Sequence, residues 1–304
     1  MNRKLILGAV WVLISVPAVF ALSEAIRFRV HNRSSGALVS SGRTREYLLH
    51  VPRSYDRTRP APLVISMHGA GGWPVQQMEM SLWNRLADEQ GFLVVYPAGT
   101  EGVGPRVWGV GPGPRLARDV RFIAELIDHL QAAYNIDPRR IYANGLSNGG
   151  GMSFVLSCTM SDRIAAVGLV ASAQTLPWSW CTDQRAVPMI AIHGTADPMT
   201  PYDGGTTWVS QRAFPAIPVW TANWARRNRC GAPIESAAAA DVTRRDYTNC
   251  ADGADVTLVT IHGGGHSWPG GKPIPEWFVG PTTRSIDATR EMWAFFRAHP
   301  LPAR

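Results

Sequence analysis

The chain has 304 residues, 45% of them hydrophobic and 17% charged, and a formal net charge of +7. This is the composition of an ordinary folded protein, long enough to bury one large core, and it excludes a disordered or fibrous chain. The positive charge is spread as scattered arginines with no Lys/Arg run interleaved with aromatics, so no nucleic acid partner is expected.

Asn2-Arg3-Lys4 makes a positive start, and Leu5 to Phe20 is almost unbroken apolar sequence. Val19-Phe20-Ala21 offers small residues where a signal peptidase reads. Residues 1–21 therefore read as a secretory signal, with membrane attachment expected only if it stays uncleaved as a single-span anchor. The rest of the chain is expected outside the cytoplasm, as a secreted monomer. Residues 22–41 are mixed and contain Ser and Gly, so they read as a lead-in segment, and residues 42–304 read as one domain.

Within that domain a strand begins at Arg45 and ends at Pro52. Pro62-Leu-Val-Ile-Ser-Met is a short apolar run closed by His68-Gly69-Ala70-Gly71-Gly72, the pattern of a buried parallel strand leaving through a glycine turn. A helical pattern follows over Met78–Gln90, then a second buried run, Phe92 to Pro97. Residues 98–116 form a long Gly/Pro-rich loop that holds Trp108, and a loop of that length is expected to be functional. Asp119 to Tyr134 carries apolar residues at Val120, Ile123, Ile127 and Leu130, one face of a helix.

Arg140 to Asn144 reads as a strand, Gly145-Leu146-Ser147-Asn148-Gly149 as a turn and Gly150 to Leu156 as the start of a helix. A serine in G-x-S-x-G between a strand and a helix is the pattern of a nucleophile elbow. Further strands are expected at Ile164–Val170, Val187–His193 and Val256–His262, with a closing helix over Ile286–His299. Residues 202–250, with three Trp and few strand signals, read as an insertion lying over the sheet before the last strand. The alternation predicts an α/β fold, a mostly parallel central sheet with helices on both faces.

The four cysteines stand at 158, 181, 230 and 250 with no C-x-x-C pair. In an exported chain an even count suits two disulfides, with three connectivities open. Pairing of sequence neighbours, Cys158 with Cys181 and Cys230 with Cys250, closes two short loops and is the expected one. No zinc-type spacing occurs, and the glycine-rich loops lack the Lys-Ser/Thr or G-x-G-x-x-G pattern for phosphates and dinucleotides. No metal and no cofactor is therefore expected.

A serine hydroxyl needs a base within hydrogen-bond reach, and on this type of fold the partners follow in the order Ser, Asp or Glu, His. Asp197, in His193-Gly-Thr-Ala-Asp197-Pro-Met, and His266, in Gly263-Gly-Gly-His266-Ser-Trp-Pro, each follow an expected strand. Asp203 and His262 are the nearest competitors. Asp203 lies further from its strand end, and His262 falls inside a strand run and reads as a core or edge histidine. The catalytic residues are thus expected to be Ser147, Asp197 and His266. The oxyanion hole is expected from the backbone N–H groups of Asn148 and Ala70, with Gly69 as the alternative to Ala70 and His68 bracing the loop. Trp108 and Trp268 are candidate pocket residues, and Trp178 and Trp180 further loop aromatics.

The order of Pro-Leu-Val-Ile-Ser-Met-His-Gly, Gly-Leu-Ser-Asn-Gly-Gly, His-Gly-Thr-Ala-Asp-Pro and Gly-Gly-Gly-His-Ser-Trp-Pro-Gly-Gly resembles the polyhydroxybutyrate depolymerase family of secreted esterases. That family includes feruloyl and acetyl-xylan esterases. The resemblance runs from about Gly42 to Phe296 and implies an α/β-hydrolase fold with its triad on Ser147, Asp197 and His266. Asn228-Arg229-Cys230 resembles the family's Asn-x-Cys block, which puts the second cysteine pair where the family has one. Two features depart from the pattern, a third glycine at Gly151 and Arg118-Asp119-Val120 in place of a doubled aspartate. Both are expected to reshape the pocket wall. The implied function is hydrolysis of carboxylic esters, of a polyester oligomer or an acylated plant polysaccharide, through an acyl-enzyme. The alternatives are a serine peptidase of the same fold and a non-catalytic cell-surface binding protein.

Overall fold

The computed structural model describes residues 35–102, 104–207 and 210–302. The expected signal segment lies outside the described residues. A sheet of ten strands forms the centre, in the order β1 (Gly36–Ser40), β2 (Arg43–His50), then β4-β3-β7-β8-β9-β14, then β13 (Val242–Tyr247) and β12 (Ile234–Ala239). Its middle six are mutually parallel. They are β4 (Leu93–Pro97), β3 (Ala61–Met67), β7 (Ile136–Leu146), β8 (Ala166–Val170), β9 (Met189–Gly194) and β14 (Val256–Ile261). β3, β4, β8, β9 and β14 are buried along their whole length, as continuous apolar runs require when both sheet faces are covered.

Alternation along these strands sorts their side chains into two cores. Leu63, Ile65 and Met67 of β3 face one layer, which holds Phe122, Ile123 and Leu126 of α3 (Pro114–Ala133) and Phe154 of α4 (Asn148–Thr159). Trp220 and Trp224 of α5 (Ile217–Arg227) complete that layer. Val64 faces the other layer, built from α1 (Pro74–Ser81), α2 (Trp83–Gln90) and α7 (Ala288–Ala298). There Phe296 stacks on Tyr142 at 4.8 Å and Trp293 on Phe92 at 4.0 Å. Each such buried side chain contributes roughly 1.5–3 kcal/mol of transfer free energy.

Four expectations need correction. The lead-in does not end as an irregular tether: β1 (Gly36–Ser40) pairs antiparallel with β2 (Arg43–His50), so the expected boundary at residue 42 falls inside a hairpin turn. The helix expected over 78–90 is two helices, because Leu82 takes φ 58° and breaks the ladder between them. α3 begins five residues earlier than its apolar face, at Pro114, which has no N–H to leave unpaired. The segment 202–250 does not simply lie over the sheet. After the hairpin of β10 (Gly205–Thr207) and β11 (Ser210–Phe214) and α5, it adds β13 (Val242–Tyr247) beside β14 and β12 (Ile234–Ala239) at the edge.

Those edge strands carry little apolar signal because main-chain pairing and ion pairs hold them. Arg244 contacts Asp246 at 2.8 Å and Glu291 at 2.9 Å. The disulfide Cys158–Cys181 ties the end of α4 to the loop after β8, and Cys230–Cys250 ties the segment just past α5 to the loop after Tyr247. Among the described residues no helix is long and apolar enough to cross a membrane.

Candidate active site

β7 ends at Leu146 and α4 starts at Asn148, so Ser147 alone makes the turn. Its backbone takes φ 55° and ψ −119°, a conformation that costs on the order of 1–3 kcal/mol for a residue with a side chain. The strain sits on the serine, not on its glycines. Those glycines answer to space: a Cβ on Gly149 would collide with the carbonyl of Met67, and one on Gly145 would meet Gly149 and Met67. The Ser147 N–H donates to Val170 O at 2.9 Å, which fixes the turn to the neighbouring strand. Ser147 is half-buried and stands at the amino end of a twelve-residue helix, where unpaired N–H groups favour negative charge.

Asp197 and His266 arrive on the loops after β9 and β14, at the same carboxyl edge of the sheet. His266 Nδ1 lies 3.0 and 2.8 Å from the two Asp197 carboxylate oxygens. The loops are sewn to each other by the Ala196 N–H to Gly264 O bond, 2.9 Å, and the Gly263 N–H to Thr195 Oγ1 bond, 2.8 Å. Gly265 lies so close to Val279 and Gly280 that a Cβ there would collide with both, which accounts for one of the glycines before His266. Both side chains are buried, and Asp197 Oδ1 also accepts the N–H groups of Met199 and Thr200, each at 2.8 Å. Burial alone would raise the Asp197 pKa. The hydrogen bonds from His193 and His266 outweigh it and hold the carboxylate well below the usual range, so Asp197 stays an anion.

The glycine-rich loop after β3 lies over the elbow: a Cβ on Gly69 would sit 3.5 Å from that of Ser147. In that loop the Gly71 and Gly72 N–H groups are committed to Arg106 O and Gly69 O, while Ala70 is exposed at the tip. His68 is buried and fixed at both nitrogens. Nε2 accepts the Gly99 N–H at 2.9 Å, so Nδ1 carries the proton and donates to Gly69 O at 2.7 Å. Burial lowers its pKa to about 4, against the pull of the Gly69 carbonyl, so the ring is neutral.

Trp108 and Trp268 do not line an open pocket. Trp108 is 2% exposed and acts as a clamp: its N–H donates to Asn148 Oδ1 at 2.6 Å and its indole N–H to His68 O at 3.0 Å. Trp268 is 1% exposed, packed in the α7 layer and bonded to Thr289 Oγ1 at 3.0 Å. Trp178 packs edge-on against Phe154 and Trp224, which leaves Trp180, 47% exposed, as the one of these four tryptophans that faces solvent. Of the competitors, Asp203 and His262 are both exposed.

The departure at Asp119 is not a pocket wall. Its fully buried carboxylate accepts from Arg45 at 2.9 Å, Thr100 Oγ1 at 2.5 Å and the Gly109 N–H at 2.7 Å. It thereby anchors the loop that carries Trp108. At Gly151 a Cβ would lie 2.8 Å from Thr175 Cγ2, so the third glycine lets the loop after β8 pack on α4. Sequence reasoning gave neither residue this role and marked both only as departures from the family pattern. Among the described residues no group of three or more His, Cys, Asp or Glu could hold a metal ion.

The model of the esterase PHB depolymerase family matches residues 45–223, which include Ser147 and Asp197. Of curated proteins, NocK of Nocardia uniformis subsp. tsuyamanensis, named for esterase activity, is 32% identical over 82% of this chain and 78% of its own length. Feruloyl esterase B of Piromyces equi is also 32% identical, over 75% of this chain, which spans only 44% of that longer protein. The solved acetyl xylan esterase from Aspergillus awamori superposes with a TM-score of 0.60 at 15% identity, over 84% of this chain and 94% of that one, a likeness of fold. With the matched segment covering more than half of its length, this chain belongs to the esterase PHB depolymerase family of α/β-hydrolases.

Proposed function

We propose that the chain is an exported carboxylesterase that works through an acyl-enzyme on Ser147. What carries the reading is the strained serine at the head of α4, at the same sheet edge as a buried Asp197–His266 pair. His266 Nε2 takes the proton of Ser147 as Oγ attacks the ester carbonyl, and Asp197 holds Nδ1–H and stabilises the imidazolium. The N–H groups of Asn148 and Ala70 receive the oxyanion. His266 then gives its proton to the leaving alcohol, and a water attacks the acyl-enzyme by the same route. Two disulfides suit an oxidising compartment outside the cytoplasm.

For substrate we propose acyl groups carried by a plant polysaccharide, feruloyl or acetyl, with soluble hydroxybutyrate oligomers as the second class. The names of the feruloyl and acetyl xylan esterase relatives support the first and the family description the second. Ser147→Ala is expected to fold normally, lose fluorophosphonate labelling and lose about 10^6-fold in kcat on nitrophenyl acetate. Full turnover by that variant would remove Ser147 from the mechanism. A panel of ferulates, acetylated xylan and hydroxybutyrate oligomers ranks the substrates by kcat/KM, and preference for the oligomers would reverse our order.

A further inference from the structure

A second imidazole touches Asp197. His193, the penultimate residue of β9, is 2% exposed, and its Nε2 lies 2.8 Å from Thr200 O and 3.3 Å from Asp197 Oδ2. A carbonyl oxygen only accepts, so Nε2 must carry the proton, and that one N–H is shared between the carbonyl and the carboxylate. Nδ1 then presents a lone pair, buried and without a hydrogen-bond partner among the described residues.

The bond to Thr200 O closes the turn from 193 to 200 across its mouth, while Asp197 Oδ1 closes the same turn from inside through Met199 and Thr200. Oδ2 is left between two rings, His266 at 2.8 Å and His193 at 3.3 Å. We propose that His193 is a positioning residue of the triad: its shared Nε2–H holds the Asp197 carboxylate in plane with His266 and tempers the negative charge that His266 meets. The proposal rests on the reading of Ser147, Asp197 and His266 as a triad.

The titratable groups around this cluster are His193 and His266 on Asp197 and, beyond His193, the ring of Tyr202 at 6.1 Å. The Tyr202 phenol is bonded to Thr260 Oγ1 at 2.8 Å, and burial raises its pKa. Asp203, Glu235 and Arg245 act on that phenol from the loop after β9 and from β12 and β13. Loss of the His193 N–H leaves more charge on Oδ2, which favours the protonated form of His266. The acidic limb of the rate profile must then move to higher pH.

The test is the pH dependence of kcat/KM for nitrophenyl acetate in the wild type, His193→Phe and His193→Gln. The glutamine amide can reach the position of Nε2 and keep a donor there. In the Phe variant the acidic limb is expected to move up by about half to one pH unit, with about a tenfold loss of kcat and little change in KM. In the Gln variant the limb is expected to return to its wild-type position and kcat to within about threefold of wild type. Should the Phe variant fail the thermal-unfolding control for folding, His193→Asn, too short to reach Oδ2, takes its place with the same expected limb. A Phe or Asn profile that superimposes on wild type after scaling overturns the proposal, as does equal loss in the Phe and Gln variants. Fluorophosphonate labelling of wild-type Ser147 separates the two levels. A labelled serine with unmoved limbs sinks the role of His193 alone, and an unlabelled serine sinks the triad and this role with it.

Discussion

The two sides of the Ser147 elbow are built on opposite electrostatic plans. On the Asp197–His266 side a buried carboxylate is kept charged by the rings of His193 and His266 and by two backbone N–H groups. On the His68–Trp108 side a buried imidazole is kept neutral, and its neighbours are bound through backbone atoms and an indole. The buried carboxylate there, Asp119, is spent on Arg45 and on the loop. On the proposed mechanism the first side must stabilise a charge that moves during the reaction, and the second need only hold donors still, because a preorganised donor costs nothing when the oxyanion forms. Changes on the first side should therefore act on rate, and changes on the second on stability and geometry together.

The largest test of that contrast is Asp197→Asn. It keeps the shape of the side chain but withdraws the charge and offers His266 the wrong tautomer, for an expected loss of about 10^4-fold in kcat. KM should move little. A similar loss carried mainly by KM would mean that Asp197 shapes the pocket and does not act on the imidazole.

Asp119→Ala is the counterpart on the other side. It leaves the Arg45 guanidinium buried with Ala98 O, 2.9 Å away, and the Phe122 ring, 3.9 Å from Cζ, but with no carboxylate. Breaking a buried pair in this way costs about 3–5 kcal/mol. Urea unfolding should show a loss of that size. At temperatures where the variant is still folded, kcat should fall about 10-fold, because the loop that clamps Asn148 has lost its anchor. An Asp119→Ala protein of wild-type stability would mean that Arg45 finds water, and that the loop is held from elsewhere.

The same contrast explains what the sequence disclosed. The six parallel strands were legible because burial on both faces writes them as unbroken apolar runs, such as Leu63 to Met67 and Val256 to Ile261. Ser147, Asp197 and His266 were legible because each follows such a run through glycine or a tight turn. β1, β12 and β13 were not. Their stability lies in main-chain pairing and in pairs such as Arg245 with Glu235, 2.7 Å apart, which leave no periodic apolar trace. The anchor at Asp119 was hidden for another reason: its partner Arg45 is 74 residues away, and one sequence carries no sign of which distant charges meet. The loop tryptophans misled because an indole bonded inside the fold and one that lines a pocket have the same composition around them. Only the acceptors of their N–H groups, His68 O and Thr289 Oγ1, tell them apart.

The smallest of these effects separates the two sides by pH. His68 has a pKa of about 4 when folded, chiefly because burial disfavours its charge, against 6.5 for a free imidazole. As pH falls from 6.5 towards 4 the unfolded chain takes up a proton that the folded one refuses, so unfolding becomes easier across that window. The contribution is fully present above 6.5 and amounts to about 3 kcal/mol lost by pH 4. Asp197 has the same sign in a lower window, since a carboxylate held below its ordinary pKa loses its contribution only as pH drops through the folded value. Unfolding free energies measured between pH 7 and 4 in the wild type and in His68→Asn should therefore differ in slope. Asparagine can keep the bond to Gly69 O but does not titrate. The variant should start less stable at pH 7 and lose about 3 kcal/mol less on the way down. Parallel slopes would mean that His68 is already protonated in the fold, and that the oxyanion side holds a charge after all.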